Sequence, residues 1–154
     1  MEAATRLGAE ISSFPLPSLR VSKLDDFVAI REEQASKSLR MLADRFVRGL
    51  DFARTAQTDD ELARRRAAPL SDRQGAMLAH WGYPYVFDEW KFHFTLTAGQ
   101  SPVERSRFAS AARVHFADAL SVQRRVDNVA VFVQPARNEP FTLVDRVSLA
   151  ASVR

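Results

Sequence analysis

The chain has 154 residues and 46% hydrophobic content, enough for a packed core and too much for an intrinsically disordered segment. Its 22 basic and 19 acidic residues leave a net charge of +3, which by itself does not suggest a nucleic-acid surface. The absence of cysteine excludes disulfides, thiolate catalysis and cysteine-ligated zinc, and it fits a reducing compartment.

No run approaches the ~18 apolar residues of a membrane span, and the opening Met1-Glu2-Ala3-Ala4-Thr5-Arg6 does not read as a secretory signal. The expectation is therefore a soluble cytoplasmic protein with no membrane partner, folded as a single domain over residues 1–154.

In chain order, Ala3 to Ile11 has helical composition. Leu16–Val21 and Phe27–Ile30 read as strands joined by a turn over Lys23–Asp26, with Pro15 and Pro17 confining the first to an edge. From about Glu33 to Phe52, Leu39, Leu42, Phe46, Val47 and Leu50 recur at three- and four-residue steps, which predicts one long helix. Thr58 followed by Glu61, and Ser71 followed by Gln74, are capping boxes. They predict a helix that carries Arg64-Arg65-Arg66 and stops before Pro69, then a helix through Trp81 ended by Gly82. Ser101-Pro102-Val103-Glu104 opens another helix, expected to reach about Leu120. Asn128–Val133 and Phe141–Leu149 read as strands across a turn containing Pro135, Asn138 and Pro140. Five strands joined by hairpins, not by regular strand–helix alternation, predict an α+β fold with a mainly antiparallel sheet and helices packed on one face.

The chemistry concentrates in Lys91-Phe92-His93-Phe94-Thr95-Leu96-Thr97. In an extended segment successive side chains alternate between faces. Phe92, Phe94 and Leu96 then make an apolar face, and Lys91, His93, Thr95 and Thr97 share the other. A cation, an imidazole that exchanges protons near neutral pH and hydroxyl donors together suit an anionic substrate, phosphate above all. Tyr83 and Tyr85, on either side of Pro84, could wall a base or sugar ring or simply pack the loop. Arg64, Arg65 and Arg66 lie ~100° apart on a helix, so at most one or two could face a ligand; Arg66 is carried forward as the candidate. Arg146, on an alternate face with Thr142, Val144 and Ser148, is a candidate phosphate contact. His80 and His115 read as helix-surface residues.

Phe92-His93-Phe94-Thr95-Leu96 resembles the HxTx signature of the two-histidine (2H) phosphoesterase superfamily. Three further segments make it similar to that superfamily's phosphonate-metabolism branch. They are Glu61-Leu62-Ala63-Arg64-Arg65-Arg66, Leu70-Ser71-Asp72-Arg73-Gln74 and Trp81-Gly82-Tyr83-Pro84-Tyr85-Val86-Phe87-Asp88-Glu89. Val131-Phe132-Val133-Gln134-Pro135 and Pro140-Phe141 fit it as well.

The resemblance implies a bilobal fold, cleavage of a phosphodiester or cyclic phosphate by two histidines acting as general base and acid, and threonines holding the non-bridging oxygens. It implies no cofactor or metal. Members carry two HxTx motifs and this chain has one, so it resembles the C-terminal two-thirds of such a protein, an incomplete bilobal fold. The expected catalytic pair is His93 and Thr95, with Lys91, Tyr83, Tyr85, Arg66 and Arg146 around the substrate. The competing expectation is a truncated, inactive member that at most binds a phosphorylated ligand. The expected partner is a small phosphorylated substrate; related folds also accommodate an RNA end. A vacated sheet position would leave an exposed edge, and with it a route to a homodimer.

Overall fold

Ser71 and Ser101 start helices by the chemistry their neighbourhoods spell out. Each side-chain oxygen accepts the backbone N–H three residues on, and Gln74 or Glu104 reaches back to the cap residue's own N–H. Thr58 Oγ1 accepts the Glu61 N–H, but the expected box is only half formed, because the Glu61 carboxylate bonds Arg65 instead of reaching back. The computed structural model describes residues 1–55, 57–67, 69–136 and 139–151.

Its helices are α1 (Glu2–Ala9), α2 (Lys37–Leu50), α3 (Asp59–Arg66), α4 (Asp72–Trp81), α5 (Pro102–His115) and α6 (Ala117–Ser121). The strands are β1 (Phe14–Pro15), β2 (Leu19–Leu24), β3 (Phe27–Glu32), β4 (Phe94–Thr95), β5 (Arg125–Val126), β6 (Asn128–Val133) and β7 (Thr142–Ser148). The strand pairs are antiparallel: β1 with β5, β2 with β3 with β4, and β6 with β7. The architecture is α+β.

The described chain divides into two compact units. One comprises residues 14–39 and 92–126; the other comprises 1–13, 40–91 and the segment from Asp127 onward. In the first, α5 lies on the β2–β3–β4 sheet. Val21, Val28, Ile30 and Ala109 form its buried centre, flanked by Leu19, Leu96, Ala112, Phe116 and Leu120. The strands point alternate residues at that helix, and Ala109, fully buried, brings the helix close to them. Lys23 Nζ donates to Ser106 Oγ at 2.8 Å along the same contact.

In the second unit α1 rests against β7. A Cβ placed on Gly8 would lie 2.6 Å from the Ser148 carbonyl oxygen, so only glycine permits this approach. Ala150 N–H donates to both the Gly8 and Ile11 carbonyls, and Ile11, Val147 and Leu149 are buried. Gly82, at φ +71, ends α4 in the left-handed region.

Several boundaries differ from the sequence expectation for identifiable reasons. Strand β2 begins at Leu19, not Leu16, because Phe14–Pro15 and the Leu16 N–H are drawn to β5 and Arg124. Helix α2 starts at Lys37, not Glu33. The Glu33 N–H still belongs to the β2–β3 hairpin through the Ser18 carbonyl, and Ser36 Oγ accepts the Leu39 N–H. The hairpin turn is only Asp25–Asp26. The helix expected to reach Leu120 breaks at Phe116 into α5 and α6. The expected seven-residue strand at Lys91–Thr97 has regular pairing only at Phe94–Thr95. Its ladder ends where Val28 N–H, the next donor, bonds to the Thr97 hydroxyl at 3.1 Å, not to a backbone carbonyl. Asn138, expected in a turn, lies outside the described residues.

Candidate functional site

His93 and Thr95 stand on β4 and the residue before it. Pairing of Ala29 with Thr95 and of Ile30 with Phe94 sets the register, and the Leu96 N–H donates to the Val28 carbonyl at 2.9 Å. Alternation along this stretch puts Leu96 on the α5 side, where it joins the core. It puts His93 and Thr95 on the opposite face. Both are exposed. The His93 ring has its centroid 5.8 Å from that of Phe27, a residue on the same face four register positions along the ladder, so the imidazole leans along the strand over the fully buried Ala29.

The apolar half of the alternation is weaker than expected: Phe94 is 52% exposed, its ring 5.1 Å from that of Phe92. Thr97 is half-buried, and its hydroxyl is occupied as an acceptor for the sheet backbone.

The other histidines do not complete an acid–base pair on this face. His115 closes α5 and lines an open apolar groove of about 360 Å³ with Val28, Leu96, Thr97, Phe108, Ala111, Ala112 and Phe116. That groove is on the α5 side of the sheet, opposite His93. His80 is an exposed residue of α4, its ring against Trp81. Among the described residues no group of histidines and carboxylates could hold a metal ion.

The remaining candidates fall in the second unit. Tyr83 and Tyr85 point outward, 45% and 42% exposed, while Gly82, Pro84 and Val86 turn inward. The two rings meet edge to face at 5.6 Å, and the Arg65 guanidinium lies 5.3 Å above Tyr83 while bonding Glu61 at 2.9 Å. The structure thus joins Arg65, not Arg66, to the tyrosines; Arg66 is the exposed last residue of α3. Lys91 is exposed.

Arg146 keeps Ser148 on its face as the alternation predicts, but not Thr142. A bulge between Val131 and Phe132 makes Asp145 and Leu143 oppose successive residues, which reverses the faces beyond it. Arg146 therefore shares its side with Leu143 and Ser148, not with Thr142, and its guanidinium donates to Asn128 Oδ1 at 3.4 Å.

Sequence reasoning passed over two sets of arginines. Arg40 donates to the carbonyls of Phe87 and Trp90, and Arg48 stacks 4.3 Å above the Phe87 ring. Together they hold Phe87 at φ +55, an unusual backbone setting for a bulky residue. Arg20 and Arg31 face one another across β2 and β3. Their alternation was visible in Leu19–Leu24 and Phe27–Glu32, but the register bringing them to the face of His93 was not.

A family model described as "Protein of unknown function (DUF1045)" matches residues 1–142. The chain is 32% identical over 151 residues to a "Ribose 1,5-bisphosphate phosphokinase PhnN" of Janthinobacterium sp. (strain Marseille), covering 96% of this chain and 33% of that protein. It is 30% identical over 143 residues to a protein of the same name from Laribacter hongkongensis (strain HLHK9), covering 89% of this chain and 31% of that one. The chain spans about a third of the length of these curated relatives. No solved structure matches it.

Proposed function

The chain belongs to the DUF1045 family of proteins of unknown function, and we propose that it acts on a phosphodiester or cyclic phosphate in phosphonate metabolism, in the manner of 2H phosphoesterases. The observation that carries this reading is an exposed imidazole, His93, immediately before β4 and an exposed hydroxyl, Thr95, two residues on within it. His93 would take the proton from the attacking water or hydroxyl and return it to the departing oxygen as the scissile P–O bond breaks, and Thr95 would donate to a non-bridging oxygen as charge builds on the phosphoryl oxygens. Lys91, Tyr83, Tyr85, Arg66 and Arg146 remain substrate-binding candidates.

The relatives' printed name supports a small phosphorylated substrate, since those proteins are named for a sugar bisphosphate. None of the five glycines here is followed by lysine, so the Gly-x4-Gly-Lys loop that cradles nucleotide phosphates does not occur in this segment. Self-association through the open edge of β4 belongs to the same proposal.

The test is hydrolysis of 2′,3′- and 1,2-cyclic phosphates by the purified chain and by His93→Ala. Turnover that falls about 100- to 10,000-fold in the variant is the expected result. Turnover indifferent to His93 overturns the assignment. A second reading, a ligand-binding member without turnover, is favoured by the presence of one imidazole on this face and His115 on the other. Phosphate binding that depends on His93, without hydrolysis of any cyclic phosphate, selects it.

A further inference from the structure

The β2–β3–β4 sheet presents two cross-strand rows on the face opposite α5. Arg20 pairs with Arg31 and Ser22 with Ala29, while Ala29 pairs in turn with Thr95. Carrying the Ile30–Phe94 register one position further sets Arg31 opposite His93. The register rows are therefore Arg20–Arg31–His93 and Ser22–Ala29–Thr95, with two hydroxyls flanking an alanine and two guanidiniums on the row of His93, whose ring itself leans toward Phe27.

Like charges directly opposite one another across strands repel. Among the described residues neither Arg20 nor Arg31 is in an ion pair, although Glu33 follows two positions after Arg31. Arg31 is half-buried, and its Nε is buried with no hydrogen-bond acceptor, an arrangement that is costly unless something supplies an oxygen. Arg20 is exposed. A guanidinium fork matches the oxygens of a phosphate in charge and in geometry.

We propose that Arg31 and Arg20 form an anion subsite adjoining the His93–Thr95 position, so that the ligand is a small organic bisphosphate and not a singly charged ester. This rests on the phosphate reading of His93 and Thr95. Strands in a sheet are about 4.8 Å apart, so the row from β4 to β2 spans about 10 Å, within reach of two phosphates on one small molecule.

Calorimetric titration with inorganic phosphate and with inorganic pyrophosphate tests the subsite in the wild-type chain, Arg31→Met, Arg20→Met and His93→Asn. The wild type is expected to prefer pyrophosphate by about 10-fold or more, as charge-assisted bonds to a second phosphate imply. Arg31→Met abolishes the preference while phosphate affinity holds, Arg31→Lys retains part of it, and Arg20→Met reduces it. A merely structural Arg31 would lower thermal stability and leave the ratio of the two affinities unchanged; that result overturns the subsite. Should Arg31→Met fail to fold, the exposed Arg20→Met decides, and an unchanged ratio there overturns the subsite. Phosphate binding that needs His93 but shows no arginine-dependent preference overturns the subsite alone. A wild type that binds neither anion overturns both the subsite and the phosphate reading.

Discussion

Gly82 is a residue whose backbone setting determines its identity. Its φ of +71 lies where an L side chain is crowded, and an added Cβ would sit 3.0 Å from Arg54 Nη1. Arg54 also donates to the His80 carbonyl and Gln57 to that of Gly82, so the neighbourhood has little freedom to shift. Gly82→Ala is expected to lose about 1 to 2 kcal/mol in urea unfolding, and Gly82→Asn less. The glycine was readable because a helix stop needs no tertiary partner. A two-residue period is likewise a property of extended backbone whatever covers it, and it is this period that groups His93 with Thr95. Thr142 does not share the face of Arg146 as expected, because a bulge in the β6–β7 ladder inverts that period, and nothing local in Thr142–Ser148 announces the bulge.

Among the elements, α4 and α5 depend on their first residues. Ser71→Ala and Ser101→Ala each remove an acceptor for a backbone N–H, with an expected loss of about 1 kcal/mol in equilibrium unfolding. Helix α4 is also tied to the turn over Phe87–Glu89 by Arg73 and Asp88, 2.5 Å apart, and by Gln74 donating to Glu89 at 2.9 Å. The hydrogen bond from the Arg73 guanidinium holds the Asp88 carboxyl below the ordinary aspartate range. A lowered folded-state value means the contribution is present above the unfolded aspartate range and is lost as pH falls through the folded value. Asp88→Asn should therefore flatten the acid limb of the stability–pH curve. The effect should shrink with added salt, since both side chains are more than half exposed. The cap residues were evident in sequence; the partner of Arg73, fifteen positions away, was not.

At the scale of the molecule, stability rests on small, separate groups of buried residues. Leu78, 2% exposed in the second unit, is the largest of the fully buried side chains, and Leu78→Ala is expected to cost about 2 to 5 kcal/mol in denaturant unfolding. Strand β4 has β3 as its hydrogen-bonded neighbour and no strand on its other side among the described residues. With Phe94 exposed beside it, this is an edge of the kind that recruits another chain. Light scattering should show a mass rising above 17.3 kDa with concentration, and Phe94→Lys should abolish the rise. A mass that stays at the monomer value removes the edge from consideration as an interface. No helix among the described residues is long and apolar enough to cross a membrane.

The residue order was sufficient for the α+β class, for the caps at Thr58, Ser71 and Ser101 and for the stop at Gly82. All of these follow from backbone geometry over a few neighbouring residues. Tertiary structure alone decided that β4 keeps two regularly paired residues, that Arg65 and not Arg66 meets Tyr83, that His115 is on the far side of the sheet from His93, and that Arg20 and Arg31 oppose one another across β2 and β3. Each of these depends on which distant segment supplies the hydrogen-bond partner, and strand register is set by packing across the sheet, beyond the reach of any local pattern.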